Sequence, residues 1–482
     1  MDAKLLIGNL DLDAAGGKVF EVRSPITQAI VSRAPAASVA DAAKAADAAA
    51  EAFPSWAQTS PNARRQMLLE CAEMIERRNQ EFCKAMTEET GAAASWGAFN
   101  VRLGAGMLRE AACMTTQISG EVIPSDQPGC FAFSVREPAG VVLGIAPWNA
   151  PVILGARAVA LPLACGNTVV LKSSEICPYT QYLLGDVFRE AGLPAGVVNI
   201  VSNSPEQAGV IVEGLIAHGA VRRINFTGST RVGRMVAEIA GRHLKPALLE
   251  LGGKAPLIVL HDADLDEAVR AAAFGAFMHQ GQICMSTERI LVHESVATSF
   301  SERLSAKAAS LRVGDPRESA TQIGSIINLA SGKRLDDLIQ DAVSKGARVA
   351  CGGERKNTIM QPTVLEDVIP SMKIYYEESF GPVVSVIRVP SEEEAIRIAN
   401  DTEYGLTAAI FSADVSRALG VARQLRTGMC HINGATVHDE PQMPFGGTKA
   451  SGYGRFGGRA GIEEFTQLRW MTIHTIPPHY PI

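Results

Sequence analysis

The fold is decided by one stretch of the chain, Gly140-Val141-Val142-Leu143-Gly144-Ile145-Ala146-Pro147-Trp148-Asn149. Its first half is almost continuously apolar, which is typical of a strand buried on both faces of a sheet. Pro147 then marks a turn, and the Ala-rich apolar run that follows predicts a helix. A buried strand joined to a helix by a short turn predicts one unit of a parallel α/β sheet.

The same alternation continues along the chain and predicts two α/β series. In the first series, further strands are predicted at 168–172, 197–201 and 223–227, with helices at 180–191, 205–217 and 230–241. In the second, strands at 256–260, 289–292, 383–389 and 408–411 alternate with helices at 264–278, 297–311, 330–345, 392–401 and 415–425. Strands separated by helices of this length indicate an α/β fold with doubly wound parallel sheets.

The region before this alternation has a different character. Residues 1–35 predict short strands and turns, and three helical segments are predicted after them, at 38–53, 62–90 and 96–117. Between 120 and 138, Phe131, Phe133 and Val135 alternate with other residues, which is the period of a strand exposed on one face. We interpret this segment as an oligomerisation arm, with an ordinary edge hairpin as the alternative. The β-type tail at 465–473 is expected to join it.

Length and composition exclude several classes of protein. A chain of 482 residues with 47% hydrophobic and 20% charged residues predicts a globular protein of two or three domains. Its net charge of −6 argues against nucleic acid as the main partner. The N-terminus does not have the pattern of a signal peptide, and the longest apolar stretches fall short of a membrane span. We therefore expect a cytoplasmic protein with no membrane partner.

The cysteine pattern gives no indication of a metal site. Nine cysteines are scattered along the chain without a C-x-x-C pair, which indicates reduced thiols and argues against zinc. His438-Asp439-Glu440 could in principle ligate a metal, but adjacent polar residues in a loop are more often solvated. No metal is expected.

One cysteine has neighbours that suggest chemistry. Cys284 follows Gly281 and Gln282 after a helical run, so we expect it where a helix gives way to a loop. A cysteine taken alone is ordinarily a small buried hydrophobe. Upstream, however, Glu250 stands beside a Gly pair at the end of an apolar run. A thiol nucleophile needs a base for a later hydrolytic step, and a Glu whose pKa is raised in an apolar pocket can serve.

Three further motifs close predicted strands, although each alone is more often an ordinary turn. Asn149 carries an amide that can donate a hydrogen bond to a developing oxyanion. Lys172-Ser173-Ser174-Glu175 ends with a carboxylate that can bind a ribose diol and repel a 2′-phosphate, which favours NAD over NADP. The segment 224–233 places Gly228 and Ser229 before a helix N-terminus, where a phosphate can bind.

Taken together and in this order, these motifs resemble the aldehyde dehydrogenase superfamily. The resemblance covers nearly the whole chain and also includes 377–383, Asn433 and Pro444-Phe445-Gly446-Gly447. It implies an aldehyde-dehydrogenase-like α/β fold with a Rossmann-type nucleotide-binding domain (1–118 and 139–250) and an α/β catalytic domain (251–448). The segments 119–138 and 449–482 would form the oligomerisation arm and tail of a homodimer or homotetramer.

The resemblance also implies the roles of the site residues. Cys284 would attack the aldehyde, Asn149 and the Cys284 N–H would hold the oxyanion, and Glu250 would activate the water that hydrolyses the thioester. NAD, with NADP less preferred, would take the hydride. The residues expected around this cofactor are Ile145, Pro147, Trp148, Lys172, Ser174, Glu175, Gly228, Ser229, Val232, Leu251, Glu378 and Phe380. Phe456 stands where many relatives carry a Glu that belongs to a proton path.

For the substrate, the stretches 145–154, 439–454 and 479–482 are most similar to members that oxidise vanillin, and then to those that act on salicylaldehyde and benzaldehyde. Oxidation of vanillin or a related hydroxybenzaldehyde to the acid is therefore expected. Arg157, about two helical turns after Asn149, could bind a ring hydroxyl or phenolate, or could instead pair with a buried carboxylate. Other residues that could line an aromatic slot are Trp96, Ala150, Ile283 and Met285.

Two other classes of function are compatible with parts of the pattern. A cofactor-independent cysteine hydrolase or acyltransferase would need a His base beside the thiol, and His279 is the nearby candidate. A non-catalytic protein of the same fold would be expected to lack Cys284, Glu250 or Asn149, and all three are present.

Overall fold

The structure is a computed structural model that describes every residue from Met1 to Ile482. Its strands are β1 (Leu5–Ile7), β2 (Leu10–Leu12), β3 (Val19–Arg23), β4 (Ile30–Pro35), β5 (Val122–Ile123), β6 (Cys130–Pro138), β7 (Val141–Ile145), β8 (Thr168–Lys172), β9 (Val198–Val201), β10 (Val221–Thr227), β11 (Ala247–Glu250), β12 (Ala255–Val259), β13 (Thr287–His293), β14 (Arg348–Cys351), β15 (Arg355–Lys356), β16 (Ile359–Met360), β17 (Thr363–Glu366), β18 (Val383–Val389), β19 (Thr407–Phe411), β20 (Met429–Ile432), β21 (Gly452–Tyr453) and β22 (Thr466–His474).

The α-helices are α1 (Val39–Gln58), α2 (Pro61–Arg77), α3 (Asn79–Thr90), α4 (Ala94–Met114), α5 (Pro151–Ala164), α6 (Pro178–Glu190), α7 (Ala208–Ala217), α8 (Thr230–Arg242), α9 (Leu265–Phe277), α10 (Glu294–Ala309), α11 (Leu329–Ser344), α12 (Lys373–Tyr376), α13 (Glu392–Asn400), α14 (Val415–Ala422) and α15 (Gly458–Phe465). None of these helices combines the length and the apolar composition needed to cross a membrane.

The first α/β series forms an eight-stranded sheet in the order β2-β1-β9-β8-β7-β10-β11-β21. Its five central strands, β9, β8, β7, β10 and β11, are parallel to one another. The antiparallel pair β1–β2 lies beside β9 on one side, and β21 lies antiparallel to β11 on the other. Strand β7 is buried along its whole length, as its apolar sequence predicts. Its helix α5 is also buried at every position, because it packs against the sheet on one face and α4 on another.

The second series forms a seven-stranded sheet in the order β14-β17-β18-β13-β12-β19-β20. All neighbouring pairs are parallel except β14 with β17. The predicted α/β fold is therefore confirmed. The predicted strands and helices of both series are present, with ends shifted by a few residues.

The predicted arm is a three-stranded antiparallel sheet in the order β22-β6-β5. Strand β22 from the tail pairs with β6 along its full length, from Thr466 opposite Pro138 to His474 opposite Cys130, so the prediction that the tail joins the arm is confirmed. The tail segment is not wholly in this sheet, however, because β21 pairs with β11 in the first sheet.

Two details differ from the sequence-based prediction. The helical segment 62–90 is two helices, α2 and α3, that break at Arg78. Arg78 leaves the helical conformation there and pairs with Glu81, Asp186 and Glu190, a set of contacts that links it to α6 and that the helical period could not reveal. The apolar run ending at Glu250 is a strand of the first sheet, β11, which was not among the predicted strands.

Candidate active site

The register of the first sheet gathers the predicted site residues at one edge. Ile145 lies beside both Lys172 and Phe226, and Thr227 lies beside Glu250. Each of these residues ends its strand or nearly so, and the carboxyl ends of parallel strands are where ligands bind in open α/β sheets. The turns after β7, β8 and β10 and the end of β11 therefore surround one region.

A cleft of about 420 Å³ opens at this edge. It is lined by apolar residues of α7 and α8 and by these predicted cofactor residues: Ile145, Pro147, Trp148, Lys172, Ser174, Glu175, Gly228, Ser229 and Val232. Leu251 lies behind the wall, where a Cβ on Gly233 would approach its Cδ2 to 2.4 Å. The structure thus brings together nine of the twelve residues predicted for the cofactor.

The groups in this cleft suit a dinucleotide. Lys172 and Glu175 pair with each other at the mouth, and the amide of Asn203 donates to Oε1 of Glu175 at 3.0 Å. Ser229 is the N-cap of α8, and its hydroxyl accepts the N–H of Val232 at 3.4 Å. A carboxylate fits a ribose diol, and the N-terminus of a helix fits a phosphate.

Cys284 lies in the loop that follows α9, as predicted. The loop is held in an unusual backbone conformation, since His279 and Gln280 have φ values of 49° and 57°. The amide of Gln280 donates to the carbonyl of Ser325 at 2.8 Å, which fixes the loop from outside. A Cβ on Gly281 would lie 2.1 Å from the carbonyl oxygen of Gly381, so only glycine fits at that point. Such strain, paid for by surrounding contacts, is common at functional sites.

The Cys284 thiol is half-buried and protonated at neutral pH. Burial raises its pKa to about 12, and the carboxylates of Glu250 and Glu378 act in the same direction. The carbonyl of Cys284 lies against Gly253, where a Cβ would approach it to 2.5 Å. The Gly pair after Glu250 therefore allows the strand end and the thiol loop to meet. The two parts of the predicted thiol–carboxylate pair are therefore close enough for the charge of Glu250 to act on the thiol.

Asn149 lies at the start of α5, buried beside the Cys284 loop. Its Nδ2 donates to the carbonyl of Gln282 at 2.9 Å, and its own carbonyl accepts the indole N–H of Trp96 at 2.9 Å. A side-chain amide has two N–H donors, so one is left for another acceptor. The backbone N–H of Cys284 has no acceptor within the protein. Both donors belong to the Cys284 loop or to a side chain bonded to it.

Glu250 has the features expected of a general base. Burial raises its pKa to about 8, against the opposing effect of Arg157 and Arg455. Neither carboxyl oxygen has a hydrogen-bond partner in the protein. The loop of Gly446 lies directly against it, since a Cβ there would be 2.7 Å from Oε1. A buried carboxyl with a raised pKa and unused oxygens is able to take a proton from a bound water.

Glu378 and Phe380 lie on a separate loop between the cleft and the thiol. Glu378 accepts the N–H of Gly253 at 3.0 Å, and burial raises its pKa to about 7. The Phe380 ring meets Trp148 edge to face at 5.8 Å between centroids, so it borders the cleft although it is not part of its lining. Both therefore lie on the thiol side of the nucleotide-sized opening.

A buried ion pair that holds the loop of Glu378 and Phe380 in place was not predicted from the sequence. Glu288 on β13 accepts the Ser379 hydroxyl and the N–H groups of Ser379 and Phe380, and pairs with Lys254 at 2.6 Å. Both side chains of this pair are buried, so it fixes the loop that carries Glu378 and Phe380. Lys254 directly follows the Gly pair, but nothing in the sequence indicates that its partner lies on the neighbouring strand.

The residues predicted for the substrate slot share one apolar cluster with the thiol. Trp96, Ala150, Ile283 and Met285 are all buried in it, and Cys284 packs against it. Arg157 is buried too, and its Nη2 donates to Oδ2 of Asp439 at 2.5 Å. Of the two alternatives for Arg157, the structure therefore shows the buried ion pair.

Comparisons with known proteins decide the family. The aldehyde dehydrogenase family model matches residues 12–471. The chain belongs to the aldehyde dehydrogenase family. It is 59% identical to a vanillin dehydrogenase of Pseudomonas fluorescens, with both chains covered in full. A crystal structure of a salicylaldehyde dehydrogenase from Pseudomonas putida G7 complexed with salicylaldehyde is 48% identical, with a TM-score of 0.99 over all of both chains.

Enzymes of the aldehyde dehydrogenase family use NAD or NADP. One solved relative is a betaine aldehyde dehydrogenase from Staphylococcus aureus in complex with NAD+. It is 30% identical to this chain, has a TM-score of 0.94, and the match covers 99% of this chain and 95% of the other. The cleft beside β7, β8 and β10 is lined by polar groups that suit such a cofactor.

Phe456, which the family resemblance predicts to interrupt a proton path, is an apolar residue of the interior. The ring is buried, packs against Phe465 at 6.2 Å, and its backbone pairs with that of Phe445. An apolar side chain at this point cannot accept or pass on a proton. A proton that leaves Glu250 therefore needs a route that does not use position 456.

His279 does not have the properties of a base for the thiol. Its ring stacks on Trp96 with centroids 4.7 Å apart, and burial lowers its pKa to about 3. Neither ring nitrogen has a hydrogen-bond partner, so no Cys–His pair is formed. The geometry therefore gives no support to a cysteine hydrolase of the Cys–His type.

Proposed function

We propose that this protein oxidises an aromatic aldehyde, vanillin or a related hydroxybenzaldehyde, to the carboxylic acid with NAD(P). The observation that carries the proposal is that Glu250 acts on the Cys284 thiol and Asn149 is bonded to the Cys284 loop, at a sheet edge that also forms a cleft suited to a dinucleotide. The substrate class is supported by the vanillin dehydrogenase at 59% identity and by the salicylaldehyde dehydrogenase at 48%.

The first step is attack of the Cys284 sulfur on the aldehyde carbon. A new C–S bond forms, and the carbonyl oxygen becomes the oxygen of a thiohemiacetal. The free N–H of the Asn149 amide and the backbone N–H of Cys284 are the donors for this oxygen. Because the thiol is protonated at rest, its proton must leave during attack. We assign this proton to Glu250, whose charge acts on the thiol more strongly than that of Glu378 and whose oxygens have no partner, whereas Glu378 already accepts the N–H of Gly253.

The cleft residues would hold NAD, which when bound would accept the hydride from the thiohemiacetal carbon, so that a thioester remains on Cys284. Glu250 releases the thiol proton to solvent and then takes a proton from a water molecule as the water oxygen bonds to the thioester carbon. The C–S bond breaks, and the sulfur regains a proton from Glu250. The products are the acid and the free thiol.

The residues that would hold the cofactor are divided along the cleft. We assign Lys172 and Glu175 to the adenine ribose, Ser229 to the pyrophosphate, and Glu378 with Phe380 to the nicotinamide-side ribose. The Glu175 carboxylate would repel a 2′-phosphate, so NAD is preferred to NADP.

The exposed arm supports a homo-oligomer, either a dimer or a tetramer. Strand β22 presents Leu468, Trp470 and Ile473 to solvent, exposed by 62%, 72% and 53%. An antiparallel sheet with a large apolar face and a free edge is a common interface between identical subunits. Sedimentation of the purified protein decides between the two states. We also propose a cytoplasmic location, supported by nine cysteines that are all free thiols.

The test is steady-state kinetics on the purified protein, followed by the absorbance of NADH. Vanillin, salicylaldehyde, benzaldehyde and a short alkyl aldehyde are supplied with NAD, and then with NADP. The expected result is a higher kcat/KM for the aryl aldehydes and for NAD. Equal values for aryl and short alkyl aldehydes would remove the aromatic assignment, and no NADH with any aldehyde would remove the dehydrogenase assignment.

A further inference from the structure

The loop between β20 and β21 places an unpartnered carboxylate oxygen in the interior. The Asp439 side chain is only 7% exposed. Its Oδ2 accepts the hydrogen bond from Arg157, whereas its Oδ1 is buried and has no partner in the protein. Buried polar atoms are nearly always hydrogen-bonded. We therefore expect Oδ1 of Asp439 to accept a hydrogen bond from a molecule bound to the protein.

Asp439 lies on the aldehyde side of the site. Its charge and that of Arg157 both act on the pKa of the Cys284 thiol and on that of Glu250. The same loop continues to Phe445, whose ring lies over the Arg157 guanidinium at 4.2 Å, and to Gly446, whose backbone lies against Glu250. The free oxygen is thus held between elements that already border the thiol and its base.

The chemistry of this oxygen restricts what it can bind. A carboxylate only accepts hydrogen bonds, so its ligand must carry a donor. The carbonyl of an aldehyde, a methyl ether and an unsubstituted ring have none, whereas a neutral phenol has an O–H. A phenolate would be repelled by the carboxylate. The edge of Arg157 that meets Asp439 is occupied, and its face is covered by Phe445, so the carboxylate is the better placed of the two.

We propose that Asp439 determines specificity by accepting, at Oδ1, a hydrogen bond from the ring hydroxyl of a hydroxybenzaldehyde. Arg157 holds the carboxylate in place through Oδ2 and so acts as a positioning residue. The inference rests on the proposed function and names the substituent that the site recognises. A site that hydrogen-bonds a substrate hydroxyl rejects the analogue that lacks it, because the buried acceptor is then left unpaired.

The test compares hydroxybenzaldehydes with methylbenzaldehydes of the same size, at each ring position. The quantity measured is the ratio of kcat/KM for the hydroxyl compound to that for the methyl compound, in the wild type and in Asp439→Asn. The electronic effect of the hydroxyl on the aldehyde is the same in both proteins and cancels. Asn keeps a bond to Arg157 but turns an N–H towards the ligand, so the ratio is expected to fall roughly ten- to hundredfold for at least one isomer.

Two further variants make the result specific. Glu440→Gln changes the neighbouring carboxylate, which is 42% exposed and pairs with His438, and is expected to keep the wild-type ratio. The double variant Arg157→Met with Asp439→Leu removes both charges and is expected to lose the ratio as Asp439→Asn does. If a single substitution prevents folding, the double variant provides the test instead, because it leaves no unpaired charge in the interior.

A second readout does not depend on turnover. In a Cys284→Ala background, quenching of tryptophan fluorescence measures binding of the hydroxyl and methyl compounds, and the added Asp439→Asn change is expected to weaken only the former. A ratio in Asp439→Asn equal to that of the wild type, or no hydroxyl preference in the wild type at any ring position, would overturn the inference. NADH formation from aryl aldehydes in those same assays would leave the proposed function intact, whereas its absence would contradict the proposed function itself.

Discussion

Two ion pairs of the site differ in how they form and in how far water reaches them. Lys172 and Glu175 are three positions apart at the end of one strand and line an open cleft, with side chains 5% and 21% exposed. Arg157 and Asp439 are 282 positions apart, and their side chains are 5% and 7% exposed. The first pair is local and its carboxylate is reached by water, whereas the second is long-range and buried throughout.

This contrast separates two tasks. On the nucleotide side the Glu175 carboxylate is reached by water, which suits a cofactor that must bind and leave. The charges of Arg157 and Asp439 both lie out of water, where an unpaired charge is costly and geometry is strict. We therefore expect the nucleotide side to tolerate substitution better than the Arg157–Asp439 pair.

The largest effect is expected from Cys284→Ala, which removes the proposed nucleophile itself. Turnover should fall by more than about 10³-fold, as for other covalent nucleophiles. NAD binding, measured by calorimetry, should remain because the cleft residues are untouched. Residual oxidation near the wild-type rate would mean that another residue is the nucleophile.

The next effect concerns the stability of the two ion pairs. Asp439→Ala leaves the Arg157 guanidinium buried without its partner and should lower the free energy of unfolding by about 3–5 kcal/mol. Glu175→Ala leaves Lys172, which lines the open cleft but is itself 5% exposed, without a partner that is 21% exposed, and should cost less, about 1–2 kcal/mol. Urea denaturation measures both, with Glu213→Ala on the outer surface as the control. Equal losses of unfolding free energy in the two variants would contradict the difference between the two ion pairs.

The raised pKa of Glu250 predicts that the folding stability of the protein depends on pH. Its pKa of about 8 lies above the ordinary Glu value of 4.5, so the folded protein keeps a proton that the unfolded chain has lost between those pH values. Folding stability should therefore decrease as pH rises through that window. Glu250→Gln removes this penalty and should be more stable than the wild type at pH 9 by about 2–4 kcal/mol.

The same pKa has a consequence for the rate. The hydrolytic step needs the Glu250 carboxylate, so thioester hydrolysis should increase as pH rises through about 8. Stopped-flow measurement of the step after NADH formation checks this. A flat profile from pH 6 to 9, or no gain in stability for Glu250→Gln at pH 9, would contradict the assigned base.

The smallest effect is expected on the nucleotide side. Glu175→Ala removes the charge that opposes a 2′-phosphate, so the ratio of kcat/KM for NADP to that for NAD should increase by about tenfold or more. Glu213→Ala should keep the wild-type ratio. An unchanged ratio in Glu175→Ala would show that cofactor choice is made elsewhere in the cleft.

The contrast also explains how much could be predicted from the sequence. The nucleotide wall is built from residues that follow their own strands, such as Lys172 and Ser229, and a parallel sheet necessarily brings such residues to one edge. The α/β fold and the turn motifs at this edge therefore follow from hydrophobic periodicity and turn signals, whereas most of the cofactor residues were predicted from the family resemblance. The split of 62–90 at Arg78 was not, because its cause is a set of contacts made by one side chain with distant carboxylates.

The contacts of Arg157 with Asp439 could not be predicted in the same way. Asp439 reaches Arg157 through a loop whose path depends on the packing of the two sheets, and no local pattern marks it. The same holds for Glu288, which fixes the Phe380 loop from a neighbouring strand. Sequence periodicity describes elements, whereas these contacts depend on how separate elements meet.

The central claim is that the Cys284 sulfur carries the acyl group while Glu250 supplies the base that releases it. Mixing Glu250→Gln with NAD and benzaldehyde, followed by mass spectrometry of the digested protein, tests this directly. We predict one equivalent of NADH and a benzoyl thioester on the peptide that contains Cys284, which persists because its hydrolysis is slow. NADH formation with no adduct, or an adduct on another residue, would contradict the account.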